Sequence, residues 1–257
     1  MIRIQRQTDI PATLQSAKIN AAKMELQEKF SRGEEIQSSD FHSEYWRAQD
    51  VKDALFNSQR SKCCFCENIR SSRREFDAEH FRPKAGIDED PGHPGYWWLG
   101  YEWSNLLYAC KPCNQEYKRN QFPISGTRAY RPDGNLENEY PMLINPIEEN
   151  PEDFIGFDWQ QAYGKMVKAY GLDPRGSKTI EIVGLNRHEL MEERASHLYG
   201  LQAAAKLIIG AQHVNNQDMV AKTVAKIQDM TSSKRRFSAF RRAFFRGQGL
   251  GDYIADD

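Results

Sequence analysis

From Cys63 to Lys84 the chain reads CCFCENIRSSRREFDAEHFRPK, and from Trp103 to Asn114 it reads WSNLLYACKPCN. Cys63 and Cys66 make one CxxC pair, Cys110 and Cys113 a second, with 43 residues between the pairs. A two-residue spacer lets a tight turn aim two thiolates at one ion, so two such pairs predict a tetrahedral, four-cysteine structural zinc site. A thioredoxin-like redox pair would want a βαβ context that these flanks lack, and two matched pairs argue against four unrelated buried thiols. Cys64 breaks the standard spacing to Cys66 and reads as a small core residue. With four protein ligands the ion has no open position, so it staples the fold and does not catalyse. Between the pairs, Glu75 to Lys84 reads as a strand that ends at adjacent Glu79 and His80 before Pro83 halts pairing. Asn105 precedes a short apolar strand, and Asn114 follows Cys113 at the start of a helix.

Outward from this centre the pattern becomes helical. Residues 12 to 32 carry Leu14, Ala17, Ile19, Ala22 and Leu26 at near-helical spacing and stop at Gly33, which predicts one helix. A second is predicted over Ser43 to Asn57, with Trp46, Val51, Leu55 and Phe56 on its apolar stripe. Downstream, Asn150 is a candidate N-cap with Pro151 at the first helical position and Glu152 and Asp153 favourably placed. Asn186 with Glu189 resembles a capping box opening one long helix through Leu190, Leu198, Leu201 and Ile208. Further helices are predicted over Gln217 to Met230 and Ser233 to Arg246. The fold class expected is therefore α+β and mostly helical, with a small cysteine-framed core (61–125) between an N-terminal helical arm (1–60) and a C-terminal helical region (126–257).

The 257 residues include 35 Lys plus Arg and 36 Asp plus Glu, a net charge of −1, which excludes a protein that coats polyanions by bulk charge. The charge is blocked instead. Arg60 to Lys84 holds seven basic and four acidic residues, Lys111 to Arg131 five and one, and Pro132 to Gly164 eight carboxylates with no Lys or Arg. Lys234 to Arg246 interleaves six basic residues with Phe237, Phe240, Phe244 and Phe245. Phe237, Phe240 and Phe244 fall on one helical face, which suits a packed helix with solvated arginines; docking of nucleic acid or a partner is the sharper alternative. Mean hydropathy is −0.76 and no apolar run is long enough to span a bilayer. The start MIRIQRQTDIPATLQ breaks the apolar segment that a secretory signal needs, and five cysteines suit a reducing compartment, so a cytoplasmic protein is expected.

A carboxylate, an imidazole and an amide oxygen gathered by a zinc knuckle are the parts that phosphodiester hydrolysis needs. Neutral His takes a proton from water near pH 7, and a hard cation such as Mg²⁺ prefers oxygen ligands and bears developing charge. In order and spacing, Cys63 to about Lys118 resembles the HNH, or ββα-metal, endonuclease module flanked by CxxC pairs. That resemblance implies His80 as general base, Glu79 and Asn114 as ligands of a catalytic Mg²⁺ or Mn²⁺, and Asn105 as a brace for the His-bearing loop. Members of the family often carry Asp where this chain has Glu79 and His where it has Asn114; Asp77, two residues along the same strand face, is the reserve ligand. Arg82, Lys84, Lys118 and Arg119 are candidates for gripping substrate phosphates or for a solvated face. Trp97, Trp98 and Trp103 read first as core aromatics.

The phrases YPMLINPIEENPEDFIGF and TIEIVGLNRHELMEER are similar to the tail of the Septu-type and retron-associated branch of HNH defence nucleases, the PtuB branch, which acts with an SMC-like or ABC-like ATPase, PtuA. The resemblance implies an antiphage effector with nucleic acid as substrate, DNA ahead of RNA, and such an ATPase as partner. Two other functions fit the same residues: a nuclease acting on tRNA or other RNA, where the 2′-hydroxyl is an alternative nucleophile, and a zinc-stapled binding module that cleaves nothing.

Overall fold

A computed structural model describes residues 1–6, 9–70, 72–160 and 165–257, so the end of the acidic block, 161–164, lies outside the described residues. The architecture is α+β and mostly helical, with two antiparallel two-stranded sheets among the described residues. Two compact units divide the chain. One comprises Ile4–Cys64 and Ile69–Glu149, so the expected arm and the cysteine-framed segment largely share it; the other comprises Met1–Arg3, Phe65–Asn68 and Asn150–Asp257.

In the first unit, α1 (Ala17–Ser31) buries Ile19, Ala22 and Leu26, one stripe of a 3.6-residue period. The single helix expected over 12–32 is corrected. Ala12–Gln15 is a separate 3-10 turn, and Ser16 is extended (ψ 155°) as the N-cap of α1. Leu14 is buried too, so the apolar period runs through a break that it cannot reveal. Likewise α2 spans Gln49–Ser58 and starts later than Ser43, because Ala48 is extended and Trp46 is pinned in a turn beside Phe41 and Tyr101.

Strands β1 (Phe76–His80) and β2 (Leu106–Cys110) pair antiparallel, Phe76 opposite Cys110 and His80 opposite Leu106. Every residue of β2 is buried, which is why its sequence, LLYAC, does not alternate. The strands are joined by a long excursion. Its two limbs touch at Gly95, where φ is +83° and a Cβ would lie 2.5 Å from the Ala85 backbone. After β2 the chain enters a seven-residue π-helix, Pro112–Lys118, closed by Arg119 in a positive-φ conformation (φ 48°). The order is strand, strand, helix. The arm grips this unit through polar contacts: the Gln59 amide bonds the Tyr108 carbonyl and N–H, each at 2.7 Å. The half-buried Arg6 guanidinium bonds the carbonyls of Trp103 and Leu106 and stacks over the Trp103 ring at 4.2 Å.

In the second unit, β3 (Ile155–Asp158) pairs with β4 (Lys168–Gly171), followed by α3 (Pro174–Ile182), whose N-cap Asp173 accepts from the Gly176 N–H at 2.7 Å. The long helix expected from Asn186 is two helices, α4 (His188–Ala195) and α5 (Leu198–His213). Asn186 is no cap. Its amide spends both groups on the Ala169 backbone of β4, each at 2.8 Å, a tertiary demand that overrides the capping pattern. Helix α6 (Gln217–Thr231) starts where expected under Asn216, and α7 is Ser238–Gly247, delayed by Phe237 at φ 55°. Phe237, Phe240, Phe244 and Phe245 are all buried. Arg235, Arg236 and Arg242 pair with Asp229 (2.6 Å), Glu193 (3.0 Å) and Asp257 (2.7 Å), so the basic, aromatic segment serves packing inside its own unit. Among the described residues no helix is long and apolar enough to cross a membrane.

Candidate functional site

Cys63, Cys66, Cys110 and Cys113 converge, all buried, with their sulfurs within 4.8 Å of one another. None is disulfide-bonded. Tetrahedral zinc with Zn–S near ~2.3 Å fits four thiolates so gathered. The Cys110 N–H also points at Cys63 Sγ (3.3 Å), the kind of backbone donor that stabilises a thiolate. Cys64 is outside the cluster, buried with its N–H on the Tyr108 carbonyl (2.9 Å).

The end of β1 and the π-helix open onto a cleft of about 690 Å³, lined by Asp77, Glu79, His80, Lys84, Asn114 and Arg119 among others. His80 is buried with its ring edge-on to Trp46, centroids 4.9 Å apart, and its Nε2 lies 2.9 Å from the Gly100 carbonyl. A carbonyl only accepts, so Nε2 carries the proton and Nδ1 keeps a lone pair. Burial first, with the nearby Lys84 and Lys118 charges adding, lowers the His80 pKa to about 3 and keeps the ring neutral at pH 7. Asn105 clasps the loop after His80: its Oδ1 accepts from the Arg82 N–H (2.8 Å) and its Nδ2 donates to the Arg82 and Leu99 carbonyls (3.0 and 3.2 Å).

The two carboxylates of β1 differ. Asp77 Oδ2 accepts from Asn114 Nδ2 (3.1 Å) and Gln115 Nε2 (2.7 Å). Glu79 is buried, and its Oε1 sits 2.6 Å from the Lys118 ammonium, which has no exposed side-chain surface and also donates to the His80 carbonyl at 3.0 Å. Burial pushes the Glu79 pKa up, against the pull of Lys118. A hard divalent cation therefore fits Asp77 with Asn114, whose amide turned over presents Oδ1, better than it fits Glu79, already matched by an internal cation.

Of the four phosphate candidates, Lys84 and Arg119 line the cleft. Lys118 is a correction, since its buried ammonium is committed to Glu79 and His80 and has no surface to offer a substrate. Arg82 is a correction too: its guanidinium, 13% exposed, pairs with the fully buried Glu139 at 3.0 Å. Trp97 and Trp103 are buried core residues. Sequence reasoning missed Arg47, Lys52 and Trp46, which the arm contributes to the cleft wall. Only the packing of α2 beside the strands brings them there, and no local pattern signals that.

The chain is 33% identical over 201 residues to a "Septu protein PtuB" of Bacillus mycoides (strain KBAB4), a match covering 76% of this chain and 66% of that protein. A PtuB of Bacillus thuringiensis is 26% identical over 143 residues, 55% of this chain and 43% of the relative. A "Septu protein PtuA" of the same B. mycoides strain is 32% identical over 140 residues, 52% of this chain and 19% of that protein. No family profile and no solved structure matches the chain.

Proposed function

We propose that this homologue of the Septu PtuB proteins is a metal-dependent HNH endonuclease, the cytoplasmic effector of an antiphage defence system, that hydrolyses DNA in company with a PtuA-type ATPase. The observation that carries the reading is the neutral, buried His80 at the end of β1, sharing a cleft with Asp77 and Asn114 on a cysteine-stapled strand, strand, helix unit. The Gly100 carbonyl holds the imidazole in one tautomer, so Nδ1 is the atom that takes a proton from water. An anionic phosphate set against the ring would raise its basicity toward working pH by the same Coulomb logic that the two lysines exert in the opposite sense. Asn105 fixes the loop behind the base, which keeps proton acceptor and scissile bond in line. Asp77 and Asn114 would hold a Mg²⁺ or Mn²⁺ ion, which when bound stabilises charge on the phosphate and the departing 3′ oxygen. The relatives' PtuA and PtuB names support the defence role and the partner.

The test is cleavage of plasmid DNA by the purified chain with Mg²⁺, with and without the ATPase. Cutting that stops on chelation and falls by at least ~100-fold in His80→Ala, with an unchanged melting temperature, is expected. Metal-independent cutting of RNA to cyclic phosphate ends would replace this reading by the ribonuclease one, and no cutting of either by the binding module.

A further inference from the structure

We infer that Arg47 and Lys52, from the N-terminal arm, are phosphate-binding residues of the cleft, and that with Lys84 and Arg119 they make it a groove for the backbone of duplex DNA. The inference rests on the nuclease reading of the same cleft and adds residues outside the HNH segment. The observation behind it is how the fold sorts the charges of 44 to 53. Asp50 turns away to accept from the Thr13 N–H (2.9 Å) and Oγ1 (2.8 Å), and Asp53 bonds Gln49 (2.9 Å) and Arg73 (2.5 Å). Glu44 is exposed and outside the cleft wall. Arg47 and Lys52 face the cleft, both exposed, and no ion pair holds either among the described residues.

Across from them, the Lys84 ammonium rides over the rings of Phe41 (4.7 Å) and Trp46 (5.6 Å). The Arg119 side chain is 62% exposed and pairs with Asp88 at 3.7 Å. Four cations thus line the cleft with two carboxylates; Glu79 is paired with Lys118 and Arg119 with Asp88, which leaves Arg47, Lys52 and Lys84 facing Asp77. Like charges gathered in one cleft repel one another, and an anion bound among them relieves that repulsion. Burial lowers the Lys84 pKa, the nearby Glu79 carboxylate opposes that, and Arg47 adds a smaller downward push. Ser38, Ser39 and Ser43 on the same wall add hydroxyl donors suited to phosphate oxygens.

The experiment measures binding of a labelled DNA duplex by the full-length His80→Ala chain, across a salt series, against Arg47→Glu/Lys52→Glu in the same background. Lys226→Glu, an exposed cation on α6, controls for net charge and melting temperatures control for folding. Loss of two phosphate contacts is expected to weaken binding at least ~10-fold and to flatten the plot of log affinity against log salt by about 1.8, with Lys226→Glu unchanged. Equal salt slopes for parent and double variant overturn the inference, as does a parent that binds no duplex or binds only RNA. A parent that binds duplex through these residues while the His80 protein never cuts sinks the nuclease reading and leaves the inference standing.

Discussion

A lysine ammonium with no exposed surface needs partners, and Lys118 has two, Glu79 Oε1 at 2.6 Å and the His80 carbonyl at 3.0 Å. Removing it by Lys118→Met leaves a buried carboxylate alone, a change that costs ~3–5 kcal/mol where the carboxylate is charged. Burial already raises the Glu79 pKa, and losing Lys118 raises it further. A carboxyl whose folded pKa lies above its unfolded one favours the fold at low pH and loses that contribution as pH rises through the folded value. Thermal melts should therefore show Lys118→Met close to the parent near pH 4 and increasingly destabilised toward pH 8, with Glu79→Gln restoring most of the loss. A gap that does not change with pH would refute the pairing. The resemblance to the HNH order singles out residues 77, 79, 80, 105 and 114, and the fold brings Asp77, Glu79, His80 and Asn114 to one cleft with Asn105 clasping the loop after His80. Which carboxylate is free was not legible in the sequence, since that depends on the lysine one π-helical stretch later folding back under the strand.

Strand β2 was legible because a short apolar run with no alternation, bounded by Asn105 and Pro112, has few alternatives, and β1 because Pro83 halts pairing soon after His80. Helix ends were less so. The 12–32 and Asn186 patterns each ran across a break, at Ser16 and at Ser196 to His197, where buried Leu14 and Leu198 keep the apolar period going. The cysteine pairs sit at the other ends of these same elements: Cys110 closes β2 and Cys113 opens the π-helix that carries Asn114. Metal loss should accordingly disorder the site and not merely weaken the chain. Cys113→Ser is expected to drop zinc from about one per chain to near zero by elemental analysis and to lower the melting temperature by well over ~10 °C, with DNA binding lost in parallel. Full zinc content and an unshifted melt would show that these thiols do not hold the ion.

At the scale of the molecule, the cysteine-framed segment 61–125 is not a unit by itself. Its strands and cleft borrow Arg6, Trp46, Arg47, Lys52 and Gln59 from the arm, and the compact unit accordingly runs through Ile4–Cys64 and Ile69–Glu149. A fragment starting at Ser61 leaves the Trp103, Leu106 and Tyr108 carbonyls without these partners, and circular dichroism should find it unfolded even with zinc added. A cooperative melt from that fragment would contradict the account. Net charge gave no hint of this arrangement, because a chain near neutrality can still segregate its cations onto one wall. For anyone grafting this cleft onto another protein, the seam belongs ahead of the arm: a chimera joined at the first cysteine would inherit the recognisable letters and leave behind the hand that holds them.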